Sequence, residues 1–183
     1  MGSNPLSKVW FTPTHGASNW LWLSFFVVLL DQTTKALVIG TVKAQDMIAL
    51  LPFLHIVYLE NTGAAFSIFA QASGWQRWFF IGLALLVSVV LMLWLRRIRA
   101  DQTLLAIGLS LVLGGALGNV IDRVMHGYVV DFIYFNWRAW DFPAFNIADT
   151  AISIGAGCLL LDAFLERGHG KEAASGERRA RTE

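Results

Sequence analysis

An all-α membrane protein of four transmembrane helices, carrying a small extracytoplasmic β-rich cap, is the fold class the sequence predicts. Three observations predict it. Of 183 residues, 56% are hydrophobic and 15% charged, too apolar a balance for a soluble domain of this length. Four segments are each long enough to cross the hydrocarbon, which takes roughly 20 residues at about 1.5 Å per residue. The stretches between them are too polar or too broken to cross. The net charge of +1, with its basic residues scattered or set beside apolar runs, gives no nucleic-acid surface.

Residues 1–17 are polar and turn-rich, with Pro5, Pro13, Gly16 and Lys8, and form a short cytoplasmic or interfacial tail. The membrane domain follows from 18 to 166. Its first helix, about 18–40, opens with the apolar run Trp20–Leu30. A weak basic start and no small-residue cleavage pattern make it a membrane span rather than a cleavable signal. Residues 41–74 hold the cap. There Leu54–Leu59 is β-favouring, Asn61-Thr62-Gly63 has turn chemistry, and Ala64–Phe69 is expected to return as a second strand. Helix two, about 76–95, includes 18 uncharged residues from Trp78 to Leu95. Helices three and four are expected at about 103–122 and 146–166, joined by an aromatic loop over 123–145. The charged, Gly- and Ala-rich remainder, 167–183, is expected to be disordered.

Orientation follows from the basic residues. Lys8, Arg96, Arg97, Arg99, Arg167, Lys171, Arg178, Arg179 and Arg181 mark one side as cytoplasmic, so both termini lie inside. The cap and the 123–145 loop then face outward, and Trp75, Trp78, Trp137 and Trp140 suit an outer interfacial belt. Gly114 and Gly118, with the pairs Ala151/Gly155 and Ser153/Gly157, should let helices three and four approach closely.

The polar residues within or beside the apolar runs gather at the outer end. Asp31 and Lys35 are four apart on one helical face, where each lowers the other's burial cost. Asn119, Asp122 and Arg123 share a face at the end of helix three, Asn146 and Asp149 begin helix four, and Asn61 and Asp131 lie outside the membrane. Asp162 is the exception and reads as a solvated helix end. Structural explanations exist for most of the set. Asp31 with Lys35 is an ion pair, Asp122 with Arg123 is either an interfacial pair or substrate-facing, Asn61 shapes its turn, and Asn119 and Asn146 satisfy backbone groups. They fail for Asp131 and Asp149, neither of which has a basic residue within four positions. A carboxylate at mid-bilayer costs roughly 2.5–3.5 kcal/mol, so Asp149, three residues into an apolar run, needs a reason to be there. His15, His55, His126 and His169 lack ligand spacing, so neither metal nor cofactor is expected, and the single Cys158 precludes an internal disulfide.

Two neighbouring carboxyl groups share a proton, giving one base and one acid. That is what amide hydrolysis requires: the base takes a proton from water and the acid protonates the carbonyl oxygen. The same pair also suits a glycosidase or a proton pathway, so a small proton-coupled transporter is the alternative.

The motifs D-Q-T-T-K (31–35), N-T-G-A-A-F-S (61–67), G-G-A-L-G-N-V-I-D-R (114–123), V-V-D-F-I (129–133) and F-N-I-A-D-T-A-I (145–152) occur in one order across 18–166. In these the chain resembles the bacterial lipoprotein signal peptidases, the type II signal peptidases. The resemblance implies an inner-membrane aspartyl endopeptidase with a periplasmic β-cradle, its active site near that face. Such an enzyme cleaves prolipoproteins before the diacylglyceryl-modified cysteine at the lipid surface and is a target of globomycin-type inhibitors. It further implies that Asp131 and Asp149 are the catalytic pair. Asn61, Asn119, Arg123 and Asn146 would line the site, with Asp31, Lys35 and Asp122 as supports.

Overall fold

The computed structural model describes residues 17–63, 74–138 and 140–180. A 3-10 turn at Ala17–Trp20 leads into α1 (Leu21–Thr41), and two short strands follow, β1 (Met47–Leu51) and β2 (Leu54–Asn61). Next come α2 (Trp75–Arg97), α3 (Thr103–Met125), β3 (Val129–Trp137), β4 (Trp140–Phe145) and α4 (Ile147–Ala180). Four helical segments are long and apolar enough to cross a membrane: Ala17–Thr41, Trp75–Arg97, Thr103–Met125 and Ile147–Leu165.

α3 is the axis of the bundle. Its apolar window is 67% buried, against 17–28% for the other three, which leave their apolar side chains on the outside. α1, α2 and α4 each pack along α3, while α2 and α4 make no extended contact with each other. Small residues set these approaches. A Cβ at Gly114 would stand 2.8 Å from the Ser24 carbonyl oxygen, and one at Gly118 would stand 2.6 Å from Asp31 Oδ2. The glycine pair anticipated between α3 and α4 therefore receives α1. The α3–α4 contact runs instead through Gly108, Gly115 and Gly155, with a Cβ at Gly155 falling 2.8 Å from the Gly108 carbonyl oxygen. Ala151 and Gly155 are buried as expected, but Ser153 and Gly157 are exposed and take no part.

The four strands form one antiparallel sheet in the order β1-β2-β3-β4. The stretch 123–145, expected to be a loop, thus supplies half of a sheet. Val129 to Phe132 are all buried, so this strand lacks the polar alternation by which a half-buried strand declares itself. The return strand expected at 64–69 falls outside the described residues; the described partners of β2 are β1 and β3. Val38, Val42 and Phe132, with Ile56, Tyr58, Ile133 and Ile147 against them, clamp the sheet to the end of α1 and the start of α4. Asn61 pairs in register with Val129 and Leu59 with Asp131, which sets Asn61 beside Asp131 at the helix ends.

α4 continues to Ala180, past the expected end at 166. Backbone over 167–180 is helical where disorder was expected, in keeping with the helix-forming Ala, Glu, Lys and Arg that fill it. Asp162 consequently lies within a helix rather than at its end.

Gly155→Val should introduce overpacking worth about 1–3 kcal/mol and lower the melting temperature in detergent. Gly157→Val, which meets nothing within 4 Å, should leave it unchanged. Equal melting temperatures for the two variants would contradict this packing.

Candidate active site

The site is built outward from the first turn of α4. The Asn146 carbonyl Oδ1 accepts the Asp149 backbone N–H at 2.9 Å, and the Asn146 N–H donates to Asp149 Oδ2 at 3.3 Å. This is the reciprocal cap of a helix start, with Asn and Asp in the roles usually taken by Ser or Thr and Glu or Gln. The Asn146 amide also reaches the other carboxyl group, since Nδ2 donates to Asp131 Oδ1 at 2.7 Å. One residue therefore bonds both carboxyl groups, Asp131 through its side-chain amide and Asp149 through its backbone N–H. Asn61 Nδ2 donates to the other Asp131 oxygen at 2.9 Å, while its Oδ1 closes the turn by accepting the Gly63 N–H. Asn119 Nδ2 donates to Asp149 Oδ1 at 2.8 Å.

Beneath the pair lies a buried ionic cluster. Lys35 Nζ donates to Asp31 Oδ2 at 2.8 Å and to Asn119 Oδ1 at 3.1 Å, and stands 2.8 Å from Asp122 Oδ2. Three ammonium protons thus meet three acceptors. Exposures of 2% for Lys35, 0% for Asp31 and 1% for Asp122 leave no room for solvent to take over that role. Each carboxylate also pins a backbone N–H: Asp31 Oδ1 accepts from Ala148 at 2.9 Å and Asp122 Oδ2 from Val130 at 3.0 Å. These are the residues immediately before Asp149 and Asp131. Asp31 through Lys35 to Asp122 therefore fixes the spacing of the two segments that carry the pair.

Asp122 does not pair with its neighbour Arg123, because consecutive helical residues face different directions. The Arg123 guanidinium lies 5.1 Å from the Phe80 ring centroid and donates to the Asn119 carbonyl at 3.3 Å. It makes no ion pair among the described residues, yet its charge is felt by Asp149, Asp122 and Asp131. All nine residues singled out in the sequence thus belong to one connected network. Two contributors were missed. Gln32 Nε2 donates to Asp122 Oδ1 at 2.8 Å and to the Gly118 carbonyl at 3.1 Å; an amide in an apolar run was its signal. Phe80, beneath Arg123, gave none.

Asp131 is buried and Asp149 partly open. Burial pushes the Asp131 carboxyl up to about 6, aided by the Asp149 charge and opposed by hydrogen bonds from Asn61 and Asn146 and by Lys35. The arrangement offers two carboxyl groups linked through Asn146, with a guanidinium that makes no ion pair among the described residues alongside. Among the described residues no group of three His, Cys, Asp or Glu is placed to hold a metal ion.

Residues 23–165 match the family model described as Signal peptidase (SPase) II. The lipoprotein signal peptidase of Ectopseudomonas mendocina is 51% identical over 157 residues, covering 85% of this chain and 93% of the relative. That of Pseudomonas aeruginosa strain UCBPP-PA14 is 49% identical over 163 residues, covering 88% and 96%. A bacterial membrane enzyme solved by the in meso method at 2.3 Å superposes with a TM-score of 0.73 at 35% identity, over 84% of this chain and 91% of that one.

Lys35→Met would strand two buried carboxylates, and removing one partner of a buried pair costs about 3–5 kcal/mol, so a large fall in melting temperature is expected. Arg99→Met, which breaks the exposed pair with Asp101, should leave melting unchanged. Asp131 also gives stability a pH dependence. Its folded carboxyl holds a proton more tightly than the ordinary value of 3.8, so this stabilisation is complete below that value and lost as pH rises through about 6. Melting curves of wild type should show that decline, and Asp131→Asn should flatten it.

Proposed function

The chain belongs to the signal peptidase II family, and on that premise we propose that it removes signal peptides from lipid-modified prolipoproteins by an aspartyl mechanism, with Asp131 and Asp149 as the catalytic pair. The observation that carries the assignment is Asn146, whose bonds to both carboxyl groups set them side by side at one end of the bundle.

With one proton shared between them, the carboxylate of the pair takes a proton from a water molecule as the water oxygen attacks the scissile carbonyl. The carboxylic acid gives its proton to the carbonyl oxygen, leaving a neutral tetrahedral diol. Collapse breaks the C–N bond: one hydroxyl proton passes to the carboxylate, the carboxylic acid gives its proton to the leaving amine, and the pair regains its starting charge. The protons belong to the pair rather than to a named member. Arg123 faces the developing negative charge, and Asn61, Asn119 and Asn146 hold the carboxyls while offering polar groups to the peptide backbone. Asp31, Lys35 and Asp122 support from below.

The bond cut is the one preceding the diacylglyceryl cysteine, presented from the lipid side while water enters from the sheet side. The arginines at and just beyond the end of α2, with those along the end of α4, support a cytoplasmic side for both termini. The sheet and the site then face the periplasm of a bacterial inner membrane. Globomycin-type inhibitors would occupy this same site. A proton relay is not supported, because all three Lys35 protons are committed within one end of the bundle.

Asp131→Asn and Asp149→Asn should each lower cleavage of a lipid-modified prolipoprotein at least ~100-fold, read by gel shift, while the protein still inserts and folds. Full activity in either removes that residue from the mechanism. Treatment with EDTA should leave turnover unchanged; inhibition reversed by zinc would refute the carboxylate pair as the activator of water.

A further inference from the structure

The Arg123 guanidinium stands beside the carboxyl pair with little polar hold on it. Its hydrogen bond among the described residues is the 3.3 Å donation to the Asn119 carbonyl, one turn back on its own helix, and it makes no ion pair among them. Three carboxyl groups act on its charge: Asp149 from α4, Asp122 from α3 and Asp131 from β3. A flexible cation among anions closes onto one of them unless something else restrains it. The restraint here is aromatic. The guanidinium carbon lies 5.1 Å from the Phe80 ring centroid, within the range at which a ring face attracts a cation.

The ring is itself confined. Phe79, exposed on the outside of the bundle, meets it edge-on with centroids 5.5 Å apart and planes at 70°. On the sheet side the ring fills the space where a side chain at Gly63 would stand: a Cβ there would fall 2.6 Å from Phe80 Cε2 and 3.0 Å from Cδ2. The φ of +96° at Gly63 excludes a Cβ on backbone grounds as well. The Gly63 N–H donates to Asn61 Oδ1 at 2.9 Å, and Asn61 Nδ2 donates to Asp131 Oδ2 at 2.9 Å. One turn earlier on α2, Arg77 donates to the Val124 carbonyl at 2.8 Å and ties the start of α2 to the end of α3 that carries Arg123. Phe80 is thus wedged between the turn that orients Asp131 and the cation that Asp149 attracts.

We propose that Phe80 is a positioning residue for peptide hydrolysis: its ring face keeps the Arg123 guanidinium from closing onto the carboxyl pair, leaving that charge for the oxygen of the scissile carbonyl. This deepens the peptidase reading and rests on it. An arginine already paired with Asp149 would be neutralised before the reaction began, and only an interaction stronger in the transition state than in the ground state raises the rate. An aromatic face attracts the cation without accepting its N–H groups in the way a carboxylate does, so they stay directed at the reacting group. Because the guanidinium is already in place, little reorganisation is needed as charge develops. α2 carries none of the nine residues singled out in the sequence, and Phe80 is its part in the site.

The test varies the electron density of the ring at nearly constant shape. Wild type and enzymes with mono-, di- or trifluorinated phenylalanine in place of Phe80, each checked for an unchanged melting temperature, are assayed on a lipid-modified prolipoprotein. kcat should fall stepwise with each fluorine, which withdraws electrons from the ring face, while KM holds. Phe80→Leu, which removes the ring, should lower kcat roughly tenfold. If it also lowers the melting temperature, the fluorinated series, which keeps the ring, still decides. In Arg123→Met, followed by single turnover, fluorination should make no further difference. Equal kcat across the series overturns the inference, as does a stepwise loss that persists in Arg123→Met or one confined to KM. Asp131→Asn runs in parallel: cleavage by that variant sinks the peptidase reading itself, whereas an inactive Asp131→Asn beside a flat fluorine series sinks only this one.

Discussion

A lysine ammonium held between two carboxylates in the dry interior is the contact on which the remainder depends. Two anions and one cation without solvent are costly unless every proton and lone pair finds a partner. Here Lys35 directs its three protons to Asp31, Asp122 and Asn119; Asp31 Oδ1 takes the Ala148 N–H, Asp122 Oδ1 takes Gln32, and Asp122 Oδ2 takes the Val130 N–H beside Lys35. Those backbone groups, at Val130 and Ala148, come from a strand and a helix that share no sequence neighbourhood. The cluster therefore converts an electrostatic requirement into a geometric one. Gly118 is part of the same requirement, since any Cβ there would meet Asp31 Oδ2 at 2.6 Å.

On that platform Asn146 combines two roles that are usually separate. Capping a helix and orienting a reactive carboxyl are both matters of aiming a few polar atoms, and one amide at the junction of β4 and α4 serves both ends. Burial holds the Asp131 carboxyl above the usual carboxylate range. Partial exposure gives Asp149 the access to water. The two chemically identical groups thus differ in exposure, and the difference comes from where the chain puts them.

Much of this could be read from the residues. Four apolar runs marked the spans, and the cost of Asp149 within one of them singled it out before any partner was known. The partners themselves were harder. Asp122 stood beside Arg123 in sequence, but adjacent helical positions diverge, and its cation came from α1, eighty-seven positions earlier. Gly114 and Gly118 declared a flat side on α3 without saying which helix would lie on it. Val129–Phe132 hid its strand because both of its faces are covered, which erases the alternation that marks a half-buried strand. Asp162 was set aside because the helix was expected to stop just beyond it.

The hydrogen bond from Ala148 to Asp31 joins positions 117 apart in sequence. Synthesis runs from the N-terminus, so α1 and its carboxylate enter the bilayer long before the segment they must hold has left the ribosome. Until the final span arrives, Asp131 has no Asn146 to orient it and Asp149 does not yet exist. The nascent chain therefore carries Asp131 without its Asn146 contact, and the network closes only when the last helix docks.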